Sequence, residues 1–461
     1  MTVTENMLFD AVRSALERVE SEIASGPIVP SVTPGEIRAH LKSCYDFSKP
    51  GDLDAIGADV QRMLRSGNVQ VTHPRYFGLF NPSVTTPAVL ADLLVAMYNP
   101  QLAAWRTAPA ANEVERHTLL WLAAKFGFPA NTAATFTSGG AEANLTAVIA
   151  ALTKSFPGYG DHGLRSLKVP PALYVTGQAH TAIHKIAHVT GLGRSAVRTV
   201  AVDGDLKMDL VDLAKKVAED RRNGLAPFMV IGTAGTTGAG VIDPLPELAA
   251  FCQAESLWFH ADAAWGGAAI ISPRLRSYLA GIEAADSITC DAHKWFSVPM
   301  GAGMFFCRHP EAIAEAFRAN NTFMPGHIDE GGADPYTMSL QWSRRFMGLK
   351  FFFALAQFGE SGYANLIEHQ TRMGQVLRES LVREGWRVIN KTPLPVVCFT
   401  RYRLDIPKFV ASLVEHQIVW MSTVQIDDAP AIRACITSYR TQEADIADVV
   451  QQMNRFVKDA A

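Results

Sequence analysis

The 461-residue sequence lacks several features that would indicate specialised classes of protein. Its six cysteines are scattered without a C-x-x-C pair, which argues against a disulfide framework or zinc ribbon and favours a reducing compartment. No uncharged run reaches the roughly 18 residues of a membrane helix, and the N-terminus does not resemble a signal peptide. A net charge of −3 indicates no basic surface for nucleic acid. We therefore expect a cytoplasmic protein that binds neither membrane nor nucleic acid.

Short apolar runs bounded by glycine alternate with helical patterns between residues 80 and 310. The predicted strands are 172–177, 196–202, 227–235, 256–264, 287–292 and 301–308, and the helices between them include 137–152, 180–190, 209–223 and 244–254. Such alternation is typical of an α/β fold with a mainly parallel sheet covered by helices. Ligands of such sheets bind at the carboxyl ends of the strands.

The remaining patterns divide the chain into three predicted segments. Residues 1–78 read as helices separated by Pro/Gly breaks, residues 79–352 as the large α/β domain and residues 353–461 as a small C-terminal α+β domain. A long helix over 345–380, which a break could interrupt, joins the last two. The first segment cannot bury much core alone, so we expect it to pack on another part of the protein or on a second subunit.

Two stretches place polar groups where a ligand could bind. In "TFTSGGAEANLTAVIAALT" (135–153), glycines open a helix whose free N–H groups and dipole favour an anion, although a tight helix start without a ligand is the alternative. In "WFHADAAWGG" (258–267), Asp262 ends an apolar strand and needs a cationic or N–H partner. Asp262 is either a helix cap or an acceptor for a protonated ligand nitrogen.

The stretch "SITCDAHKWFSVPMG" (287–301) carries Lys294 in mostly apolar or small surroundings. Desolvation lowers a lysine's pKa and makes the amine a nucleophile toward a carbonyl, unless the side chain reaches solvent. His180, His184 and His188 have a spacing that could bind a metal, but no local carboxylate or cysteine joins them. His180 stands at the boundary between the loop and the predicted helix, so its ring is expected to point at the site and not along the helix.

Together these groups match the contacts of pyridoxal phosphate: a phosphate cradle, an aspartate for the ring nitrogen, a lysine for the aldehyde and an imidazole for the ring. The chain resembles the pyridoxal-phosphate-dependent group II amino-acid decarboxylases, the aromatic-amino-acid and glutamate decarboxylase group, over residues 70–440. The motifs include "THPRYFGLFNP", "TSGGAEAN", "GTAGTTGAGVIDPL", "WFHADAAWGG" and "DAHKW". The resemblance implies the aspartate-aminotransferase-like fold (fold type I), an amino-acid substrate and a homodimer with shared sites.

The resemblance also assigns residue roles. Lys294 would form the Schiff base, Asp262 would pair with the ring nitrogen, and His180 would stack on the ring. The phosphate would be held by Gly140, Ala141, Ser287 and His293, with Thr237 and Ala264 lining the cofactor. Asp291 departs from the asparagine that is common in the family, and a carboxylate beside a phosphate would repel it unless it is turned away or protonated.

A second departure bears on the reaction. The loop "FRANNTFMPGHIDEGGADPY" (317–336) has Phe323 where the family's proton-donating tyrosine falls, and phenylalanine cannot donate a proton. Relatives with phenylalanine there are aldehyde synthases, which consume O2 and yield aldehyde, CO2, ammonia and peroxide. Tyr336 could replace the tyrosine. We expect decarboxylation to the amine, with aldehyde formation, transamination, carbon–carbon lysis or a non-catalytic role as alternatives.

The substrate side chain stays open between aromatic and acidic. By resemblance the pocket would draw on Phe80, Asn81 and Pro82, with residues near 103–106 from the neighbouring subunit. Arg106 could bind a side-chain carboxylate or pair with a structural acid. Arg433 could face the substrate's α-carboxylate or serve domain packing.

Overall fold

The computed structural model describes residues 14, 15, 17–19, 22, 26–81, 83–319 and 334–459. The strands are β1 Ala133–Thr137, β2 Pro171–Thr176, β3 Val197–Val200, β4 Ala226–Thr233, β5 Trp258–Asp262, β6 Ser287–Asp291, β7 Gly303–Cys307, β8 Arg387–Val388, β9 Val396–Thr400, β10 Ser422–Ile426 and β11 Ala429–Cys435. The helices are α1 Pro34–Cys44, α2 Leu53–Gly67, α3 Thr86–Tyr98, α4 Pro109–Lys125, α5 Gly140–Ser155, α6 Tyr159–His162, α7 Ala182–Val189, α8 Leu210–Arg222, α9 Leu245–Glu255, α10 Pro310–Ala316, α11 Leu349–Arg383, α12 Ile406–Glu415 and α13 Glu443–Asp459.

Seven of these strands form one sheet in the order β1-β7-β6-β5-β4-β2-β3. Neighbours from β6 to β3 pair in parallel, whereas β7 runs antiparallel to both β1 and β6. Strands β2, β5, β6 and β7 are buried along their whole length, which explains their continuous apolar runs. The predicted α/β fold with a mainly parallel sheet is confirmed.

Most predicted elements lie within a few residues of the observed ones, and the break that the sequence allowed in the long helix is present. Strand β1 was not predicted, because its five residues run directly into the glycine-rich helix start. The long helix α11 is broken at Gly359, where φ is 63°. This left-handed conformation suits glycine, so the break lies where the chain can adopt it without strain.

The chain divides into two compact units. One contains residues 84–372 and 389–397, and the other contains residues up to 83 with 373–388 and 398–461. The second carries most of a four-stranded antiparallel sheet, β10-β11-β9-β8, whose members β10 and β11 pair from Ser422 to Ile426. The predicted three-way division of the chain stays a prediction.

Within the second unit, the N-terminal segment contacts the region around the C-terminal sheet. The Gln417 side chain accepts hydrogen bonds from the backbone N–H groups of Ile28 and Val29 at 2.8 and 3.0 Å. Tyr76 stacks on Trp420 with ring centroids 5.2 Å apart. Among the described residues, no helix has the length and apolar composition that crossing a membrane requires.

Candidate active site

The direction of the strands brings the predicted site residues to one edge of the large sheet. Lys294 follows β6, Asp262 ends β5, His180 follows β2 and Gly140 begins the helix after β1. Since these strands share one direction, their carboxyl ends lie at the same edge. The charge of Lys294 lowers the pKa of the His180 ring and the charge of Asp262 raises it, so the three side chains are close enough to interact.

Lys294 forms an ion pair inside this edge. Its Nζ lies 3.0 Å from Oδ2 of Asp291, whose side chain is 1% exposed, while the lysine side chain is 23% exposed. Burial lowers the pKa of the Lys294 ammonium, but the Asp291 and Asp262 carboxylates outweigh burial and raise that pKa above its ordinary value. The sequence-based expectation of a lowered lysine pKa is therefore wrong for the cofactor-free chain, because it considered desolvation without the neighbouring carboxylates.

Asp262 is buried and receives hydrogen bonds rather than a salt bridge in the described structure. Its Oδ2 accepts from Nδ2 of Asn144 at 2.9 Å, and its Oδ1 accepts from the backbone N–H of Ala264 at 3.1 Å. The other side of Asn144 contacts Nε2 of His260 at 3.0 Å. Sequence reasoning missed Asn144 and His260, although strand alternation places His260 on the same face of β5 as Asp262.

The start of α5 packs closely on the lysine loop. A Cβ added to Gly140 would lie 2.8 Å from Oδ2 of Asp291 and 3.2 Å from Cβ of Ala264. Gly139 faces the ring of His293, whose Nδ1 accepts from the N–H of Ala302 at 3.1 Å. Oδ1 of Asp291 is buried and receives no donor within the described chain. The structure thus brings Gly140, Ala264, His293 and Lys294 around one buried carboxylate.

His180 lies in the loop between β2 and α7. Its Nδ1 accepts from the backbone N–H of Ala182 at 3.1 Å. Burial, followed by the charge of Lys294, lowers its pKa. His184 is half-buried and His188 exposed on α7, and no group of three or more possible ligands is arranged for a metal ion in the described chain.

The remaining predicted cofactor residues differ in where the structure places them. Thr237 is half-buried in the loop after β4, and Ala141 is exposed in the first turn of α5. Ser287 begins β6, at the end opposite to Lys294, and is fully buried. Its hydroxyl contacts Nδ1 of His260 at 2.8 Å and accepts from Nε1 of Trp258 at 2.9 Å. The structure therefore does not bring Ser287 to the predicted phosphate site.

The predicted substrate residues lie in different parts of the chain. In the unit that holds the N-terminal segment, Phe80 is half-buried and Oδ1 of Asn81 accepts from the Tyr76 hydroxyl at 2.9 Å. In the other unit, Arg106 is exposed, whereas Tyr336 is buried and stacks on Trp342. Pro82 and Phe323 lie outside the described residues.

Arg433 is a buried cation of the N-terminal segment's unit. It is 5% exposed, and its guanidinium lies 4.8 Å from the centre of the Phe80 ring. Nη1 donates to Oγ of Ser422 at 3.2 Å, while Nε and Nη2 find no acceptor within the described chain. A buried guanidinium with two free donors is suited to a carboxylate.

Comparison with known proteins identifies the family. The model of the pyridoxal-dependent decarboxylase conserved domain matches residues 34–402. The chain belongs to this family. Its members depend on pyridoxal 5′-phosphate, so the predicted family and cofactor are confirmed, and the chain is a pyridoxal-phosphate-dependent carboxy-lyase.

The decarboxylase family's relatives differ in their reactions. An aromatic-L-amino-acid decarboxylase of Bacillus atrophaeus is 27% identical over 408 residues, covering 85% of this chain and 82% of the relative. A 4-hydroxyphenylacetaldehyde synthase of Rhodiola rosea is 28% identical over 441 residues, covering 91% and 88%. The crystal structure of Catharanthus roseus tryptophan decarboxylase with L-tryptophan matches with a TM-score of 0.91 and 22% identity, over 100% and 99% of the two chains. That structural likeness shows the fold.

The residues at the sheet edge fit pyridoxal phosphate, with one exception. They supply an amine, a hydrogen-bonded carboxylate and an imidazole, and Gly140 keeps the space beside α5 free of a side chain. Asp291 is the exception, because a second buried carboxylate beside the start of α5 opposes a phosphate.

Proposed function

We propose that the chain removes CO2 from an L-amino acid and releases the corresponding amine. The observation that carries this proposal is the meeting of Lys294, Asp262 and His180 at the carboxyl ends of β6, β5 and β2. They provide an amine for the aldehyde of pyridoxal phosphate, an anion for its ring nitrogen and an imidazole for its ring. Membership of the decarboxylase family supports the same reaction.

Each group has a separate task in this proposal. Lys294 would supply the amine for the cofactor's aldehyde, Asp262 would hold a proton on the ring nitrogen, and His180 would lie against the ring. Bound pyridoxal phosphate withdraws electrons from the substrate's α-carbon when CO2 leaves. The backbone of Gly140 and Ala141, with His293, Thr237 and Ala264, would hold and line the cofactor, and we leave Ser287 out of this set because its hydroxyl is already engaged.

Substrate recognition is proposed to use two arginines. Arg433 would bind the α-carboxylate, which is supported by its two unsatisfied donors. Arg106, exposed in its unit, would approach the substrate from a neighbouring subunit. Phe80, Asn81 and Pro82 would line the pocket. An aromatic or an acidic side chain satisfies this arrangement, since Phe80 offers a ring and Arg106 a charge.

Oxidative formation of an aldehyde is the second candidate function. Phe323 cannot return a proton to the α-carbon, and one relative is named an aldehyde synthase. Tyr336, buried against Trp342, is the alternative proton donor that would preserve amine formation. The two reactions differ in whether O2 is consumed.

A product assay separates these reactions. Aromatic and acidic amino acids are supplied with and without oxygen, and CO2, amine, aldehyde and peroxide are measured together. Amine and CO2 without oxygen uptake would support decarboxylation. Aldehyde and peroxide in step with oxygen would support the second candidate, and Phe323→Tyr should then restore amine. Absence of CO2 from every substrate would overturn both and point to transamination or carbon–carbon lysis.

We further propose a cytoplasmic homodimer in which the N-terminal helical segment covers the partner. Helices α1 and α2 bury no residue completely, and Leu41, Leu53 and Leu64 are exposed on them. The six cysteines are free, in keeping with a reducing compartment. Light scattering of the purified protein tests the dimer, and charged replacements of Leu53 and Leu64 should shift it toward the monomer.

A further inference from the structure

A chain of buried polar side chains runs behind Asp262. Nε1 of Trp258 donates to Oγ of Ser287 at 2.9 Å, and Oγ of Ser287 lies 2.8 Å from Nδ1 of His260. Nε2 of His260 lies 3.0 Å from Oδ1 of Asn144, and Nδ2 of Asn144 donates to Oδ2 of Asp262 at 2.9 Å. We call the four residues Trp258, Ser287, His260 and Asn144 the Asp262 relay.

The direction of every hydrogen bond in the relay follows from its two ends. The Trp258 indole only donates, so the Ser287 hydroxyl accepts from it and is free to donate to Nδ1 of His260. The Asp262 carboxylate only accepts, so Asn144 presents its amide N–H to it and its carbonyl oxygen to His260. His260 must then carry its proton on Nε2. All four donors therefore point toward Asp262.

The burial of His260 supports this assignment. The imidazole is fully buried, and burial lowers its pKa to about 4, so it is neutral and can accept at Nδ1 while donating from Nε2. Aligned donors polarise one another, and each strengthens the next. The relay therefore delivers a strengthened N–H donor to Asp262 without placing a cation there.

Strand geometry explains how the sequence builds the relay. Residues 258, 260 and 262 alternate with apolar neighbours and share one face of β5. The register pairs His260 with Ser287, so the hydroxyl arrives from β6 at the level of the imidazole. Asn144 completes the relay from the second turn of α5. Apolar side chains at these buried positions would need no hydrogen-bond partners, so four polar side chains in one line indicate a functional role.

We propose that the Asp262 relay is a positioning device that keeps the proton of the Asp262–cofactor pair on the cofactor's ring nitrogen. This inference rests on the proposed role of Asp262 as partner of that nitrogen. Hydrogen bonds to a carboxylate favour its charged form, so the relay makes Asp262 a poorer competitor for the shared proton. Loss of the relay moves the proton toward Asp262 and weakens the ring's withdrawal of electrons.

The test uses the holoenzyme loaded with pyridoxal phosphate labelled with 15N in the ring, since the nitrogen chemical shift reports its protonation. Ser287→Ala removes one hydroxyl from the far end of the relay. Ser272→Ala is the matched control, because Ser272 is equally buried in the same unit but donates to Glu368 at 2.6 Å. We expect Ser287→Ala to shift the nitrogen toward the unprotonated value and to lower kcat on the order of tenfold with KM unchanged, while Ser272→Ala changes neither.

Three further variants separate the relay from the proposed function. His260→Gln keeps a side-chain N–H for Asn144 and should retain most of the wild-type nitrogen shift, whereas His260→Leu should lose it. A shift that stays at the wild-type value in Ser287→Ala and His260→Leu, but moves in Asp262→Asn, would overturn the relay and leave the role of Asp262 intact. A shift unchanged in Asp262→Asn would overturn the proposed role itself.

Discussion

Replacement of Asp291 by asparagine is expected to speed the reaction of Lys294 with an aldehyde. The substitution keeps the shape of the side chain and removes the charge that lies 3.0 Å from the lysine Nζ. The amine must be neutral to attack a carbonyl, and Asp291 favours the ammonium form. Asp291→Asn also supplies the residue that the resemblance to the family implies at this position.

The size of the effect follows from the distance. Unit charges 3.0 Å apart attract each other by about 5.5 kcal/mol at an effective dielectric constant of roughly 20. Since 23% of the lysine side chain is exposed, water screens part of this attraction. If only a quarter survives, about 1.4 kcal/mol remains, which corresponds to roughly tenfold more neutral amine at a given pH. We therefore expect at least a tenfold faster reaction.

The assay follows the visible absorbance that develops when cofactor-free protein meets pyridoxal or pyridoxal phosphate. Pyridoxal lacks the phosphate, so its rate of reaction depends on the lysine amine alone. The rate with pyridoxal phosphate also increases because the substitution removes the repulsion between Asp291 and the phosphate. Asp212→Asn is the matched control, because Asp212 pairs with Lys216 at 2.6 Å on α8. An unchanged or slower rate with pyridoxal would refute the ion-pair reasoning, and a gain confined to pyridoxal phosphate would assign the effect to the phosphate.

Three other substitutions test the electrostatics of the large unit by urea unfolding of the cofactor-free protein. Glu115→Gln breaks the buried ion pair with Arg344 (2.6 Å, both side chains 3% exposed) and should lower the free energy of unfolding by about 3–5 kcal/mol. A decrease below about 1 kcal/mol would contradict a buried ion pair. Because burial lowers the pKa of His260 from 6.5 to about 4, the stability that its neutral ring contributes is complete above pH 6.5 and is lost as the pH falls toward 4. About 2 kcal/mol of this contribution is lost by pH 5, so over this range the free energy of unfolding of His260→Gln should fall by about 2 kcal/mol less than that of the wild type. Lys294→Ala should lower the free energy of unfolding by about 1–3 kcal/mol, because it leaves Asp291 buried without its cation. Adding Asp291→Asn should restore most of this loss, and additive effects of the two substitutions would contradict the ion pair.

The sheet and the lysine loop were predictable, but their electrostatics were not. Buried parallel strands appear in the sequence as apolar runs, and β2 and β6 were placed within a residue or two for that reason. Strand β1 was not predicted, because its small and polar residues do not form a continuous apolar run. The neighbours of Lys294 depend on how the loop after β6 turns, which brings Asp291 to the amine instead of the surface.

Ser287 shows the limit of transferring roles by resemblance. Its position at the amino end of β6 separates it from the carboxyl edge that holds Lys294, and the register with His260 gives its hydroxyl another partner. A period of two along "WFHAD" would have placed His260 beside Asp262, but the donor from Asn144 depends on how α5 packs on the sheet. Side-chain partners across elements require the tertiary structure.

The sheet edge balances its two buried carboxylates in different ways. Asp262 is surrounded by dipoles from Asn144 and the Ala264 N–H, which are the same whether Lys294 is charged or neutral. Asp291 relies on the lysine ammonium, and its second oxygen has no donor in the described chain. When the lysine gives up its charge to react, Asp262 keeps its two hydrogen bonds, whereas Asp291 loses its ion-pair partner. Asp291 therefore couples the charge of the lysine loop to cofactor binding more strongly than Asp262 does, because Asp262 has hydrogen bonds that do not depend on the lysine charge.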